Sequence, residues 1–219
     1  MFWIKSQIEP VEFVQWRAGN KSLNYNYDSL PGDIRRIVRA ALVRDQQGLC
    51  AYTMLRITPQ TCHIEHFRSQ AGNREKDLEY RNLLACYPEP GVPDPPFGAK
   101  LKDDDDTLIL NPHDHLVDDG FRYLSSGDIV GNSDLAKRTI DVLALNHAQL
   151  CEGRRKVMMT LVKQLRSTEP SAGWCRQRLR EYEDSENLPE YYGVIRQILS
   201  GYAQRREKRS QRTKRESRG

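Results

Sequence analysis

Residues 61–67, Thr61-Cys62-His63-Ile64-Glu65-His66-Phe67, decide how this chain is read. Two histidines bracket a glutamate in His63-x-Glu65-His66, with a thiol before them and an aromatic ring after. Imidazole and carboxylate both bind metals and carry protons, so three readings stand open: a zinc cluster, a hydrolytic site, or a polar loop bonded only to itself. On an extended strand His63 and Glu65 project from one face, and Ile64 and His66 from the other. Glu65 and His66 therefore share a site only where the strand bends or ends.

Working outward, "LCAYTMLRITPQTCHIEHF" (49–67) is rich in β-formers and is broken by Thr58-Pro59-Gln60, which predicts two short strands in a hairpin. "DLEYRNLLACY" (77–87) predicts a helix, with Asp77 as N-cap and Leu78, Leu83, Leu84 and Tyr87 facing inward. Upstream, Val11, Phe13, Val14 and Trp16 follow Pro10, a helix start. "LPGDIRRIVRAALVRDQQG" (30–48) repeats Ile34, Ile37, Val38, Ala41 and Leu42 at helical spacing and stops at Gly48. Downstream, residues 88–106 hold five prolines and four consecutive aspartates, a loop. "TLILNP" (107–112) and "FRYLSSGDIVG" (121–131) predict short strands, with Ser126-Gly127 as a turn. From Ser133 the chain is helical, broken near Asn146, then again from Pro170 to about Tyr202 with an interruption at Leu188-Pro189. The expected fold is α+β and mainly helical. Its segments are an N-terminal helical part (1–47), a central hairpin-and-helix core with the Pro/Asp-rich loop (48–131), a C-terminal helical region (132–203) and a tail (204–219).

Composition narrows the class. With 219 residues, 38% hydrophobic and 29% charged, the chain has length for a sizeable core and no apolar run near the ~20 residues of a membrane helix. "MFWIKSQIEPVEF" has no long apolar h-region, so the expected location is the cytoplasm. Cysteines at 50, 62, 86, 151 and 175 are odd in number and widely spaced, which argues against a disulfide framework, and no Cys-x-x-Cys pair is present. The net charge of +4 is uneven: the tail from Gln204 carries +6 and the rest −2. A stretch so poor in apolar residues is expected to be disordered in isolation. It fits equally a phosphate-contacting arm, with Arg205, Arg206, Lys208 and Arg209, or a solvated helix end.

"GLCAYT", "CHIEHFRS" and "YRNLLAC" together resemble the HNH endonucleases, and more particularly the small HNH proteins of the Septu anti-phage type, also found with some retrons. The resemblance runs from about Arg35 to Leu150 and is densest between Gly48 and Cys86. It implies a central ββα-metal (HNH) motif and metal-dependent cleavage of nucleic acid, DNA favoured, with Mg²⁺ or Mn²⁺ as cofactor. It also implies a complex with an ABC/SMC-like ATPase. Carried over, His66 is the general base, Glu65 the acidic metal ligand, Asn82 a metal ligand or orienting group, and His63 a supporting histidine. Arg68 is a candidate nucleic-acid contact, alongside the tail arginines and lysine that charge alone singles out.

Two departures bear on a structural zinc. Thr53 stands where such proteins place the second cysteine of a Cys-x-x-Cys pair, and Phe97 where they place a later one. Cys50 and Cys86 are then remnants, expected to pack as small buried residues with the zinc lost and Phe97 filling its place. Ser69 replaces the proline that usually follows "HFR". A catalytically weak or inactive HNH-fold scaffold or nucleic-acid-binding subunit, and an RNase acting on structured RNA such as tRNA, stay open. So does a zinc set of Cys50, Cys62, His63 and Cys86. His113 and His115 read as exposed loop residues, Asp103–Asp106 as a solvated run, and Cys151 and Cys175 as core.

Overall fold

A computed structural model describes residues 1–5, 8–20 and 25–216, with side chains through 213. Helices dominate, joined by two small antiparallel sheets of two strands each. The architecture is α+β. Helix α1 (Val11–Asn20) starts after Pro10, and α2 (Gly32–Asp45) buries Val38, Ala41, Leu42 and Val43 on the stripe its spacing predicts. Gly48 ends that segment in the left-handed region (φ +73°), its N–H donating to the Val43 carbonyl at 2.9 Å.

The centre differs from expectation. Residues 49–56 do not form a strand of a local hairpin. They close on themselves through a single bridge between Leu49 and Arg56, with the Cys50 N–H donating to the Leu55 carbonyl. Strand β1 (His63–His66) pairs instead with β2 (Leu83–Cys86), His63 opposite Cys86 and His66 opposite Leu83. The helix expected over 77–87 is absent: Tyr80–Asn82 make one 3-10 turn and the strand follows at once. Every residue of β2 is buried, so the segment has no amphipathic period that separates helix from strand, and pairing decides. Gln46, 1% exposed, completes β2 like a third strand. Its side-chain amide accepts from the Ala85 N–H at 2.7 Å and donates to the Ala85 and Leu49 carbonyls, each at 2.8 Å. Asp77 is not an N-cap. It ends the 3-10 turn Arg74–Lys76, and its carboxylate accepts from the Tyr27 N–H and the Gln70 amide, both at 2.6 Å.

A four-residue helix α3 (Ala99–Lys102) follows the proline-rich loop. Residues 107–110 are not a strand; Ile109 and Leu110 are buried, and the Leu110 N–H donates to the Thr139 hydroxyl rather than to a ladder. Helix α4 (Leu116–Gly120) leads into β3 (Phe121–Tyr123) and β4 (Ile129–Gly131), paired around the expected Ser126-Gly127 turn. Helices α5 (Asp134–Val142), α6 (Ala148–Thr168), α7 (Ala172–Glu183) and α8 (Tyr192–Glu216) complete the chain, with breaks at Asn146 and Leu188-Pro189 as read from sequence. Ser133 and Ser171 cap α5 and α7 by accepting from the Ala136 and Trp174 N–H groups. The tail is helical where disorder was expected: residues 204–216 continue α8 past the expected end near Tyr202, and residues 217–219 lie outside the described residues.

One core draws on every segment from Met1 to Val194, crossing the positions 47/48 and 131/132; a smaller one of Leu165, Cys175, Ile195, Leu199 and Ala203 joins α6, α7 and α8. Cys175 is core as expected. Cys151 is only partly buried, its thiol facing the Asp128 carboxylate at 3.4 Å and the Arg154 guanidinium at 3.3 Å. Among the described residues no helix is long and apolar enough to cross a membrane.

Candidate active site

Strand β1 delivers its side chains alternately, and the two groups that a hydrolytic site would combine leave on opposite faces. His63 and Glu65 share one face, with His63 Nε2 4.0 Å from Glu65 Oε2, too long for a hydrogen bond. His63 Nδ1 lies 2.6 Å from the Pro88 carbonyl, which only accepts, so Nδ1 carries the proton. Burial lowers the His63 pKa, and the Pro88 bond opposes that only in part. Glu65 meets the ammonium of Lys102 at 3.2 Å. Lys102 is 2% exposed and donates also to the His66 carbonyl at 3.3 Å and the Asp103 carbonyl at 3.4 Å. Burial pushes the Glu65 carboxyl up to about 7, against the pull of the Lys102 charge.

That shift has a sign that can be measured. A carboxyl raised on folding contributes stability that is complete below its unfolded value and is lost as pH rises through its folded one. For Glu65 the window runs from the ordinary 4.5 to about 7. Chemical unfolding at pH 5 and pH 8 is expected to show wild type losing about 2 kcal/mol relative to Glu65→Gln across that interval. Parallel pH profiles for the two proteins would contradict the assignment.

On the other face His66, 8% exposed, points Nε2 at the Asp77 backbone carbonyl (3.0 Å) and at Asp77 Oδ1 (3.1 Å). Both are acceptors, so Nε2–H donates and Nδ1 is the basic nitrogen. The Tyr27 ring packs edge-on at 4.7 Å. Burial lowers the His66 pKa and the Asp77 contacts offset part of that, so the imidazole is neutral at pH 7. Reading the sequence missed both partners: Asp77 looked like a cap, and Lys102 sits in a charged run, "KLKDDDD", with no local sign that it is buried.

Asn82 is fully engaged elsewhere. Its Oδ1 accepts from the Arg68 N–H at 2.8 Å, and its amide donates to the Arg68 and Lys76 carbonyls at 3.1 and 3.2 Å. It staples the loop from 68 to 82. The same loop is held by Asp106, which takes the Ser69 N–H (2.7 Å), the Ser69 hydroxyl (2.9 Å) and the Asn73 amide (2.8 Å). A proline at position 69 has no N–H to give, so Ser69 and Asp106 belong together. Thus one member of the aspartate run is structural. Arg68 lies over the Phe67 ring at 5.4 Å and donates to the Asp106 carbonyl.

Beneath the sheet Cys50 and Cys86 are both fully buried, as expected. Burial alone would raise the Cys50 thiol, but hydrogen bonds from Cys86, Thr53 and the Tyr87 N–H bring it to about 6; burial drives Cys86 far up. Gly98 approaches so closely that a β-carbon there would lie 3.2 Å from the Thr53 methyl. Phe97 is buried against the His147 ring at 5.2 Å. Cys50, Cys86 and the Thr53 bonded to Cys50 bring two thiols together, short of the four ligands of a structural zinc. Cys62 is buried, its thiol pushed up to about 12 chiefly by burial. His115 is exposed beside Asp114, whereas His113 is half-buried and bonded to Ile4, which corrects its reading as an exposed loop residue. Among the described residues no group of three or more His, Cys, Asp or Glu side chains is placed to hold a metal ion. Arg205, Lys208 and Arg209 stand exposed on α8, and Arg206 partly so.

No protein-family model matches this sequence. A search among curated proteins likewise finds no match.

Proposed function

We propose that this chain is an HNH-fold, nucleic-acid-directed subunit of an anti-phage complex with an ABC/SMC-like ATPase, and that its own phosphodiesterase site is weak or inactive. The fold part is supported by the order β1, β2, α3: strand, strand and short helix, with His63-Ile64-Glu65-His66 on the first strand. That is the order of the ββα-metal unit the motif resembles. One observation carries the catalytic part: the buried Lys102 ammonium pairs with Glu65 at 3.2 Å. A divalent cation at that carboxylate would have to displace a like charge already held by three acceptors. With Asn82 spent on the 68–82 loop, the residues present do not fit a Mg²⁺ or Mn²⁺ ion held by Glu65 and Asn82.

A second reading, an active endonuclease with His66 as base, is favoured by the Asp77 contact. It fixes the tautomer and leaves the neutral ring free to take a proton at Nδ1. Incubating the chain, alone and with its ATPase, with DNA and structured RNA in Mg²⁺ or Mn²⁺ separates the two. The expected result is no cleavage above the blank and no change with His66→Ala. Divalent-dependent cleavage that His66→Ala lowers by about 100-fold or more would overturn the weak-site reading and establish His66 as the base. Cleavage of tRNA alone would assign the substrate to RNA.

A further inference from the structure

Helices α6 and α8 lie side by side, Gly153 against the Tyr191 hydroxyl at one end and Glu169 beside Arg206 at the other. Two cavities, of about 840 and 590 Å³, share Val162, Ile198 and Arg205 as walls, so they form one trough along α8. Charge is divided along it. The larger cavity mixes acids and bases, with Arg196 bound to Asp118 at 2.7 Å. The smaller one is lined by Arg166, Arg205, Arg206 and Arg209 against a single acid, Glu169.

Of these four only Arg206 is engaged: it faces Glu169 at 3.7 Å and donates to its backbone carbonyl. Arg166, Arg205 and Arg209 are exposed and make no ion pair or side-chain hydrogen bond among the described residues. Arg166, Arg205 and Arg209 thus present three like charges to a trough whose acid, Glu169, already faces Arg206. The trough floor, Val162, Leu165 and Ile198, is apolar, and Tyr202 lies half-buried beside the guanidiniums.

We infer that this basic end of the α6–α8 trough is a binding site for the phosphate backbone of single-stranded nucleic acid. Arg166, Arg205 and Arg209 contact phosphates, and Tyr202 offers a face on which a base stacks. Guanidiniums beside one aromatic ring over an apolar floor match a strand that offers both phosphates and exposed bases, one of which Tyr202 can stack. The rigid α8 backbone holds Arg205 and Arg209 one turn apart, about 6 Å along the axis, so the charges are presented in order rather than by a loose tail. This site is separate from the β1 cluster, and it rests on the nucleic-acid part of the proposed function but not on the state of the hydrolytic site.

The test is fluorescence anisotropy of the full chain with a labelled single-stranded DNA, a single-stranded RNA and a duplex, in EDTA, across 50–200 mM salt. For single strands three phosphate contacts predict a log–log salt slope of about −2 from these arginines. The variant Arg166→Gln/Arg205→Gln/Arg209→Gln is expected to lose at least tenfold in affinity and to flatten the slope by about 2, with an unchanged unfolding temperature. Tyr202→Leu is expected to weaken single strands more than duplex. If the triple variant binds as wild type does, the site is elsewhere while the nucleic-acid reading stands. If wild type binds no nucleic acid at 50 mM salt, both fall. If polyglutamate displaces the strand as well as unlabelled oligonucleotide does, the trough takes an acidic protein and the inference is overturned.

Discussion

Lys102→Met is expected to destabilise the protein by about 3 kcal/mol at pH 8, the cost of leaving a buried carboxylate without its cation. The methionine keeps most of the stem volume, so packing changes little and the loss reports the charge. Three bonds disappear with the ammonium, to Glu65, to the His66 carbonyl and to the Asp103 carbonyl. Because the Glu65 carboxyl sits at about 7, the penalty shrinks at pH 5, where it is protonated in either protein. Adding Glu65→Leu to Lys102→Met is expected to restore much of the stability, since replacing both partners of a buried pair by apolar groups is often near neutral. A Lys102→Met protein as stable as wild type at pH 8 would mean that the pair does not anchor β1 to α3. Chemical denaturation of the four proteins of this cycle gives the answer.

Gly127→Ala is expected to cost at least about 4 kcal/mol and to loosen the hairpin from the helical half. Gly127 turns the chain from β3 into β4 at φ +93°, a conformation L side chains rarely adopt. Space is the stronger objection: a β-carbon would fall 2.0 Å from the Cys151 carbonyl oxygen of α6. The contact cannot be relieved locally, because Arg154, 1% exposed, donates from Nε to the Gly127 carbonyl at 2.6 Å and from Nη2 to Leu145 at 2.7 Å. Moving the turn away breaks the Gly127 bond and leaves the buried Nε–H of Arg154 without its acceptor. A thermal unfolding temperature within a few degrees of wild type would sink this account. Gly91 is the control: it too has positive φ, but nothing lies within 4 Å of its β-carbon position, so Gly91→Ala carries only the backbone cost.

How much of this was legible in the chain depends on the range of the interactions involved. Helices α1, α2 and α5 to α8, and the β3–β4 turn, follow from periodicity, caps and turn residues within a few positions of one another. The alternation of Glu65 and His66 to opposite faces of β1 was likewise legible, since strand geometry alone dictates it. The pairing of β1 was not. Leu83, Leu84, Ala85 and Cys86 are buried on both faces, so no period marks them, and their partner strand begins twenty residues earlier.

The residues that set the character of the site were equally hidden, each for a physical reason. Asp77 reaches His66 because Asn82 and Asp106 fold the intervening loop, bonds that span 14 and 37 residues. Lys102 looks solvent-facing among its charged neighbours, yet three acceptors pull it inside, one of them a carboxylate 37 residues away. By itself, then, the sequence determined which chemical groups are present, that Glu65 and His66 leave the strand on different faces, and where the long helices run up to about Tyr202, because those depend on local stereochemistry. Only the tertiary structure decided that an ammonium neutralises Glu65, that Asn82 serves a loop, and that the basic tail is one wall of a trough. Burial and long-range contacts set those outcomes, and neither is written in any short stretch of the chain.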